Sequence, residues 1–282
     1  MNSSSNNQDF LKSLNFVAFD TETTGMWAVS SRMVEIGAVK FRPGRDNHET
    51  FQSLIYPERN IPEDVIEIHG ITDAMVTDAE TAGPVLKRFV EFCGPDSILL
   101  AHNAPFDISF ISCELDRVGL KFGKNLILDT VDIYRRFAPG LPSYSLLSLS
   151  RQFDIAQSQN HRALADAVLV WKLFEQILEE LPPIKIIEDF KTSLTTYSMS
   201  SWKLEQKELP EEFIDIKRAI HENLALEIVY TSSGRPSQTR IIRPSSVHNL
   251  GAVFYINAFC EKAKAERTFR LDRIETFRLM KD

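Results

Sequence analysis

The chain has 282 residues, of which 43% are hydrophobic and 25% are charged. These values are ordinary for a folded protein and exclude a chain that is disordered throughout. No apolar run approaches the roughly 18 residues of a membrane span, so we expect no membrane partner. Residues 1–13 are polar and predict a flexible N-terminal tail rather than a signal peptide. Three cysteines, at spacings that suit neither a zinc site nor a disulfide framework, predict a cytoplasmic location.

The charge is divided unevenly along the chain. From residue 214 to the end, twelve Lys and Arg stand against eight Asp and Glu, a balance of +4. The net charge of the whole chain is −7, so the residues before 214 carry −11. An acidic first part and a basic last part indicate two modules, of which the basic one is the better candidate for an anionic partner.

The first part alternates between strand patterns and helix patterns. Short runs rich in Val, Ile and Phe predict a meander of three strands: "NFVAFD", "MVEIGAVKF" and "TFQSLIYP". Two further strands are predicted in "SILLAHN" and "NLILDT". The predicted helices are "TAGPVLKRFVEFC", "FDISFISCELDRVGL", "VDIYRRF", "SLLSLSRQF" and "HRALADAVLVWKLFEQILEE". This order predicts an α/β domain over residues 14–180, in which helices cover a mixed sheet.

The rest of the chain predicts a connector and a small β domain. Residues 181–212 have prolines at both ends and a Ser/Thr-rich middle, and they indicate a linker with some helix of its own. In residues 213–282, a helix "IDIKRAIHEN" precedes five short strand patterns. Five strands in so short a segment favour a small β-barrel or a strongly curved sheet.

Two acids, Asp20 and Glu22, follow directly on the apolar residues of the first predicted strand. A carboxylate at a strand end often binds the following turn, so a structural role and a metal-binding role both stay open for this pair. Asp107 is similarly ambiguous, because capping and the helix dipole favour an acid in the first turn of a helix.

Asp166 is the most informative acid. It is the only charged residue between Arg162 and Lys172, and its neighbours at i+4, i+7 and i+11 are apolar. An isolated carboxylate on such a stripe costs several kcal/mol or takes up a proton unless a cation compensates it. The one local candidate for a salt bridge is Arg162.

Four acids on three elements that converge at strand ends suit a site for divalent cations. Mg²⁺ prefers oxygen ligands and leaves positions open for water and phosphate. Two such ions can stabilise both the attacking and the leaving oxygen of a phosphodiester. His161 stands just before the helix of Asp166 and, with an ordinary pKa of about 6.5, is a candidate to accept a proton from the attacking water. A cap or surface role for this histidine also stays open.

Three stretches, "FDTETTG", "HNAPFD" and "HRALADA", closely resemble the exonuclease motifs of the DEDDh 3′–5′ exonucleases, the family of the proofreading epsilon subunit of bacterial DNA polymerase III. The resemblance extends through residues 14–180 and includes "EIGAV" and "IHGIT". It implies a ribonuclease H-like fold and two Mg²⁺ or Mn²⁺ ions. It also implies an acidic site of Asp20, Glu22, Asp107 and Asp166, with His161 as the general base.

The same resemblance implies a set of residues near the terminal nucleotide. These are Thr23 and Thr24 on the turn after the acids, His69 on a loop over the site, and Asn103 and Phe106 beside the second motif. Turn chemistry or core packing is an alternative for several of them. Asp129 resembles a frequent family position, but its place before "VDIYRRF" predicts a helix N-cap and not a ligand.

The basic last part resembles the WYL domain, a small SH3-like or Sm-like barrel found in bacterial regulators. The tripeptide that names that family corresponds here to residues 254–256, "FYI". The resemblance implies a nucleic-acid or ligand pocket made of Tyr230, Arg243, Tyr255, Arg267 and Arg270. Arginine forks fit phosphates and aromatic rings stack on bases, although charged residues along a strand also simply form its solvated face.

These observations together predict a cytoplasmic, metal-dependent 3′–5′ exonuclease that releases nucleoside monophosphates from single-stranded 3′ ends. DNA is expected ahead of RNA, and a polymerase or repair complex is a candidate partner. The C-terminal module would hold the strand or sense a ligand. Two alternatives stay open, namely a ligand-responsive nucleic-acid-binding regulator and an exoribonuclease that acts on RNA or short oligonucleotides. The sequence does not indicate an oligomeric state.

Overall fold

The chain folds as two units, Met1–Trp202 and Lys203–Asp282. The structure is a computed structural model that describes residues 4–199, 208–231, 236–250 and 253–280. Within these ranges, no helix is both long enough and apolar enough to cross a lipid bilayer.

A six-stranded sheet forms the centre of the first unit. Its strands are β1 Phe16–Thr23, β2 Met33–Phe41, β3 His48–Leu54, β4 Ile98–Ala101, β5 Ile127–Asp129 and β6 Thr196–Tyr197. Their order across the sheet is β3-β2-β1-β4-β5-β6. The pairs β1–β4 and β4–β5 are parallel, whereas the other pairs are antiparallel. The carboxyl ends of β1, β4 and β5 therefore meet at one edge, as the predicted mixed sheet requires.

Helices cover both faces of this sheet. They are α1 Ser4–Ser13, α2 Glu63–His69, α3 Asp73–Val76, α4 Ala82–Cys93, α5 Ala104–Val118, α6 Thr130–Phe137, α7 Leu146–Gln152, α8 Ala163–Ile177 and α9 Ile187–Ser193. The helices predicted from the sequence pattern correspond to α4 through α8. The end predicted for α5 is confirmed, because Gly119 adopts the left-handed conformation that terminates the helix.

The alternation of side chains along β1 decides which face each acid meets. Phe16 belongs to the core packed under α8, and Val17 belongs to the core packed under α4 and α5. Because successive side chains of a strand point to opposite faces, Asp20 and Glu22 extend toward α8, whereas Thr21 extends toward α5. One strand thus supplies polar groups to both faces at the same edge of the sheet.

The predicted flexible tail is wrong for residues 4–13, which form α1. Leu11 is 1% exposed and packs into the core under α8, beside partly buried Phe10 and Leu14. Ser and Asn have low helix propensity, so the sequence pattern did not indicate a helix. Tertiary packing of a few apolar side chains stabilises it instead. Residues 1–3 of the predicted tail lie outside the described residues.

The first unit also extends past residue 180, where the sequence placed the start of a linker. Phe190 of α9 and the nearby Leu194 are buried in the core under α8. Beyond them, β6 pairs with β5 and adds a sixth strand to the sheet. The sequence pattern did not indicate α9 and β6, because both elements are short and two prolines precede them. The predicted linker residues 200–207 lie outside the described part of the chain.

Phe190→Ala is expected to lower the free energy of unfolding of the first unit by about 3–5 kcal/mol, because it removes a fully buried ring. Ile187→Ala on the same helix is the control, and with 41% of its side chain exposed it should cost about 1 kcal/mol or less. Denaturant unfolding followed by tryptophan fluorescence measures both, since all three tryptophans lie before residue 203. Equal, small losses would place residues 187–193 outside the folded unit.

The second unit is a helix with a five-stranded antiparallel sheet, in agreement with the predicted small β domain. The helix is α10 Ile214–Glu222, and the strands are β7 Leu226–Tyr230, β8 Gln238–Leu250, β9 Val253–Cys260, β10 Ala265–Arg270 and β11 Ile274–Leu279. Their order is β10-β9-β8-β7-β11. Alternate apolar residues such as Ile228, Ile242 and Ile256 pack with Ile216 of α10 to form its core.

Candidate active site

Three of the four predicted acids come together at the carboxyl end of β1. Asp20 and Glu22 extend from the strand, and Asp166 lies in the first turn of α8 above them. One carboxylate oxygen from each lies within 4.8 Å of the other two. The buried strand and the buried helix fix the backbone on both sides, so the carboxylates have little freedom to separate.

Asp107, the fourth acid, lies in the first turn of α5 on the opposite face of the sheet. It is 2% exposed. Its Oδ1 accepts hydrogen bonds from the backbone nitrogen and the hydroxyl of Thr21, at 2.9 and 2.7 Å. Asp107 is therefore outside the group of three, yet close enough for its charge to raise the pKa of Asp20.

Burial raises the pKa of each of these four carboxyls. Burial raises the pKa of Asp20 well above its usual range, and the charges of neighbouring acids add to this effect. Burial, followed by the charge of Asp166, raises the pKa of Glu22 to about 9. Burial raises the pKa of Asp107 to about 7 although the Thr21 hydrogen bonds oppose it. The group retains protons near neutral pH unless positive charge replaces them.

The surroundings of Asp166 fit a bound cation. Its Oδ2 accepts a hydrogen bond from Nε2 of Gln159 at 2.5 Å. Its Oδ1 is buried and has no hydrogen-bond partner among the described residues. The local candidate for a salt bridge, Arg162, binds Glu35 instead. A buried carboxylate oxygen with no partner, beside two further carboxylates, is the donor set that a hard divalent cation takes.

His161, the predicted base, stands at the entrance to α8. It has φ of 46°, in the left-handed region, and directly precedes Arg162, the N-cap residue of α8. Its side chain is partly exposed. Burial raises the pKa of Asp166 and the charge of His161 partly opposes this effect, so the imidazole lies near that acid. His161 is therefore partly open to solvent and near Asp166.

The two threonines after the acids are tied into their own turn. The hydroxyl of Thr23 donates to the carbonyl oxygen of Gly25 at 2.7 Å. The hydroxyl of Thr24 accepts from the backbone nitrogen of Arg32 at 3.0 Å, and its own nitrogen donates to the Arg32 carbonyl. Both threonines are buried. Their side chains hold the turn in shape.

His69 is the last residue of helix α2 and is 3% exposed, so the predicted position on a loop is wrong. Its Nδ1 accepts a hydrogen bond from the backbone nitrogen of Ile71 at 3.0 Å. The proton must then be on Nε2, which donates to the carbonyl oxygen of Thr23 at 3.3 Å. Burial lowers the pKa of His69, which favours this neutral form. His69 thus links α2 to the turn after the acids.

The second motif forms a strained turn between β4 and α5. Asn103 has φ of 64° and is exposed at the start of α5. Its backbone nitrogen donates to Oδ1 of Asp129 at 2.9 Å. The same oxygen accepts from the backbone nitrogen of Val131, which confirms the predicted N-cap role of Asp129. Phe106 is partly buried, with its ring centroid 5.0 Å from that of Phe110.

Three of the five residues predicted for the C-terminal pocket are neighbours. Tyr255 of β9 lies directly opposite Arg270 of β10. The Tyr230 hydroxyl accepts a hydrogen bond from the Arg270 backbone nitrogen at 3.3 Å. Arg243 forms an exposed ion pair, and Arg267 is exposed on β10. Both tyrosines are 9% exposed, so their rings belong largely to the packing of the sheet.

Sequence reasoning missed three polar residues that contact the acids or their helix, namely Thr21, Glu35 and Gln159. Glu35 is fully buried, and an acid inside the apolar run "MVEIGAVKF" is the kind of signal that singled out Asp166. The other two carry no such signal, because polar residues are common in turns and at strand ends.

Comparison with known proteins supports two domains. The RNase_T family model, described as exonuclease, matches residues 17–174. The WYL domain model matches residues 211–279. Both matches agree with the units seen in the fold.

Two curated relatives are bacterial DNA polymerases III of PolC type. The protein from Oceanobacillus iheyensis is 38% identical over 169 residues, which cover 58% of this chain and 12% of that protein. The protein from Listeria monocytogenes is 37% identical over 191 residues, which cover 66% of this chain and 13% of that protein. The chain therefore spans only a small part of the length of these relatives.

Two solved structures share the fold of the first unit. A full-length 3′-exonuclease superposes with a TM-score of 0.53 and 18% identity, covering 59% of this chain and 60% of that chain. A 3′-exonuclease that specifically recognises the 3′ end of a histone mRNA stem-loop superposes with a TM-score of 0.52 and 19% identity, covering 59% and 82%. At these identities the likeness concerns the fold alone.

Proposed function

Because the chain belongs to the exonuclease family through residues 17–174 and carries a WYL domain at residues 211–279, we propose that it removes nucleoside monophosphates from the 3′ end of a single nucleic-acid strand. The observation that carries this proposal is the group of three carboxylates at the end of β1, in which a buried oxygen of Asp166 has no partner among the described residues. Such a site suits cations that bind phosphate.

In this proposal, Asp20, Glu22 and Asp166 hold the cations, and Asp107 is the fourth acid of the site. Two Mg²⁺ or Mn²⁺ ions, when bound, supply positive charge to the attacking and the leaving oxygen of the phosphodiester. The carboxylates must lose their protons to bind them, which ties binding to pH.

The other residues of the site prepare the substrate and the water. His161 accepts a proton from the attacking water, a task that suits a partly exposed imidazole beside the acids. Thr23 and Thr24 lie near the 3′ end of the terminal nucleotide, while the buried His69 keeps that turn in place. Exposed Asn103 and the ring of Phe106 contact the nucleotide from the start of α5.

The substrate is proposed to be DNA ahead of RNA, because the curated relatives are DNA polymerases. The same similarity favours a polymerase or a repair complex in the cytoplasm as the partner. In the WYL domain, the neighbouring Tyr230, Tyr255 and Arg270 are proposed to bind a nucleic acid or a small ligand with phosphate. Arg243 and Arg267 would extend this surface.

The test is a degradation assay on a single DNA strand labelled at its 5′ end. With Mg²⁺ or Mn²⁺ we expect stepwise shortening from the 3′ end, and with EDTA or a chemically blocked 3′ end we expect none. An RNA strand of the same sequence should be degraded more slowly. Binding of the strand without any metal-dependent shortening would refute the proposal and favour a ligand-responsive regulator. Faster degradation of RNA would favour an exoribonuclease.

A further inference from the structure

Glu35 is a buried acid next to the site that has no part in the proposed chemistry. It lies on β2 directly opposite Glu22 of β1, so the two Cβ atoms are about 5 Å apart. Its exposure is 0%. Unlike the three acids of the cation site, it is fully supplied with hydrogen-bond donors.

Four donors converge on the Glu35 carboxylate. Nε and a terminal nitrogen of Arg162 contact its two oxygens at 3.0 and 2.6 Å. The backbone nitrogen of Ala163 donates to Oε2 at 3.0 Å. Nε2 of Gln52, from β3, donates to Oε1 at 2.9 Å. These contacts compensate the charge of Glu35 within the fold, so it needs no cation of its own.

The contacts of Glu35 replace the missing cap of α8. The N-cap residue of this helix is Arg162, and its side chain makes no hydrogen bond to the first turn. Glu35 reaches across from the sheet and accepts from the backbone nitrogen of Ala163, so it satisfies one of the backbone donors left free at the start of the helix. Its negative charge also suits the positive end of the helix dipole.

The backbones of β2 and α8 also approach each other closely at this point. A Cβ added at Gly37 would lie 2.1 Å from the backbone nitrogen of Leu164 and 2.4 Å from the carbonyl carbon of Ala163. Only glycine allows the first turn of the helix to lie on the strand at this distance. Glu35 and Gly37, which are the first and third residues of "EIGAV", thus fix the same helix turn.

Two residues of the proposed site depend on this turn. His161 directly precedes Arg162, and Asp166 follows it by one helical turn. We propose that Glu35 and Arg162 form a clamp that positions His161 and Asp166 over Asp20 and Glu22. Glu35 is then a positioning residue and neither a cation ligand nor a base. This inference rests on the proposed function, because it assigns the clamp to that site.

Two roles of Arg162 predict opposite changes in cation affinity when its charge is removed. If Arg162 acted only through its positive charge, its removal would strengthen cation binding at the nearby acids. If it positions Asp166, its removal must weaken cation binding. Arg162→Met keeps much of the length of the side chain and removes the charge, so the direction of the change in Mn²⁺ affinity separates the two roles.

The experiment compares Glu35→Gln, Arg162→Met and the double variant of the full chain. Mn²⁺ affinity is measured without nucleic acid by electron paramagnetic resonance of free Mn²⁺. We expect each single variant to weaken Mn²⁺ binding and to lower kcat about 10–100-fold, with KM for the strand changed less than about three-fold. The double variant should be no worse than the worse single variant, because neither partner is left alone.

Two milder variants, Glu35→Asp and Arg162→Lys, keep the test valid if a single variant fails to fold. Each keeps the charge and loses part of the geometry, so each should show a smaller loss in the same direction. Glu80→Gln and Arg88→Met, which remove an exposed ion pair of the same unit, are the controls and should change neither quantity.

Tighter Mn²⁺ binding by Arg162→Met would overturn the clamp. So would a double variant whose loss of Mn²⁺ affinity or of kcat equals the product of the two single losses. The Mn²⁺ measurement does not depend on catalysis. If the wild-type protein released no nucleotide while the variants still weakened Mn²⁺ binding as expected, the proposed function would fail and the clamp would stand.

Discussion

Replacing Asp20 by Asn is expected to lower the rate of nucleotide release by at least about 1,000-fold while the chain stays folded. The amide keeps the size of the side chain but removes one of three charges whose oxygens lie within 4.8 Å of one another. Burial and four neighbouring acids raise the pKa of Asp20, so the folded chain tolerates a neutral group there. Initial rates on a labelled DNA strand and the Mn²⁺ affinity measure the effect.

Asp129 is the matched control for this substitution, because it is also an acid at the end of a parallel strand of the sheet. Its Oδ1 accepts the hydrogen bonds from Asn103 and Val131. The carbonyl oxygen of an Asn side chain accepts the same bonds and caps a helix equally well. We expect Asp129→Asn to release nucleotide within about three-fold of the wild-type rate. Full activity of Asp20→Asn, or equal losses in both variants, would refute the site assignment.

The sequence was informative where a charged residue stands in a segment that is otherwise apolar. Burial of a carboxylate is unfavourable, yet Asp166 lies on an apolar helix stripe and two further acids follow a buried strand. The structure brings these three acids together. The alternation of β1 explains why Asp20 and Glu22 meet α8 while Thr21 meets Asp107 on the other face.

What the sequence could not provide were contacts between distant segments. Glu35 and Arg162 are 127 residues apart, and nothing local indicates that they pair. Arg162 looked instead like the possible partner of Asp166. The same limitation applies to α1 and α9, whose positions are set by Leu11 and Phe190 in a core built by other elements. Helix propensity is a weak guide where the packing of a few side chains determines whether a helix forms.

A second large effect is expected on stability. Without metal, Glu22→Gln should raise the free energy of unfolding of the first unit by about 1–3 kcal/mol above about pH 7. Burial, followed by the charges of Asp166 and Glu35, raises the pKa of Glu22 from 4.5 to about 9. Between these values the unfolded chain loses a proton that the folded chain retains. The wild-type protein is therefore destabilised as the pH rises through this window, whereas the amide has no proton to lose.

Urea unfolding in EDTA, followed by tryptophan fluorescence at about pH 5.5 and about pH 8.5, measures this difference, which should widen at the higher pH. Glu80→Gln, which changes an exposed acid, should be as stable as the wild type at both pH values. Added Mn²⁺ should stabilise the wild-type protein more than Glu22→Gln, because only the former keeps all three carboxylates. A variant no more stable than the wild type would mean that the folded chain does not raise the pKa of Glu22. The burial and the neighbouring negative charges that cost stability without metal are the same features that suit the site to cations.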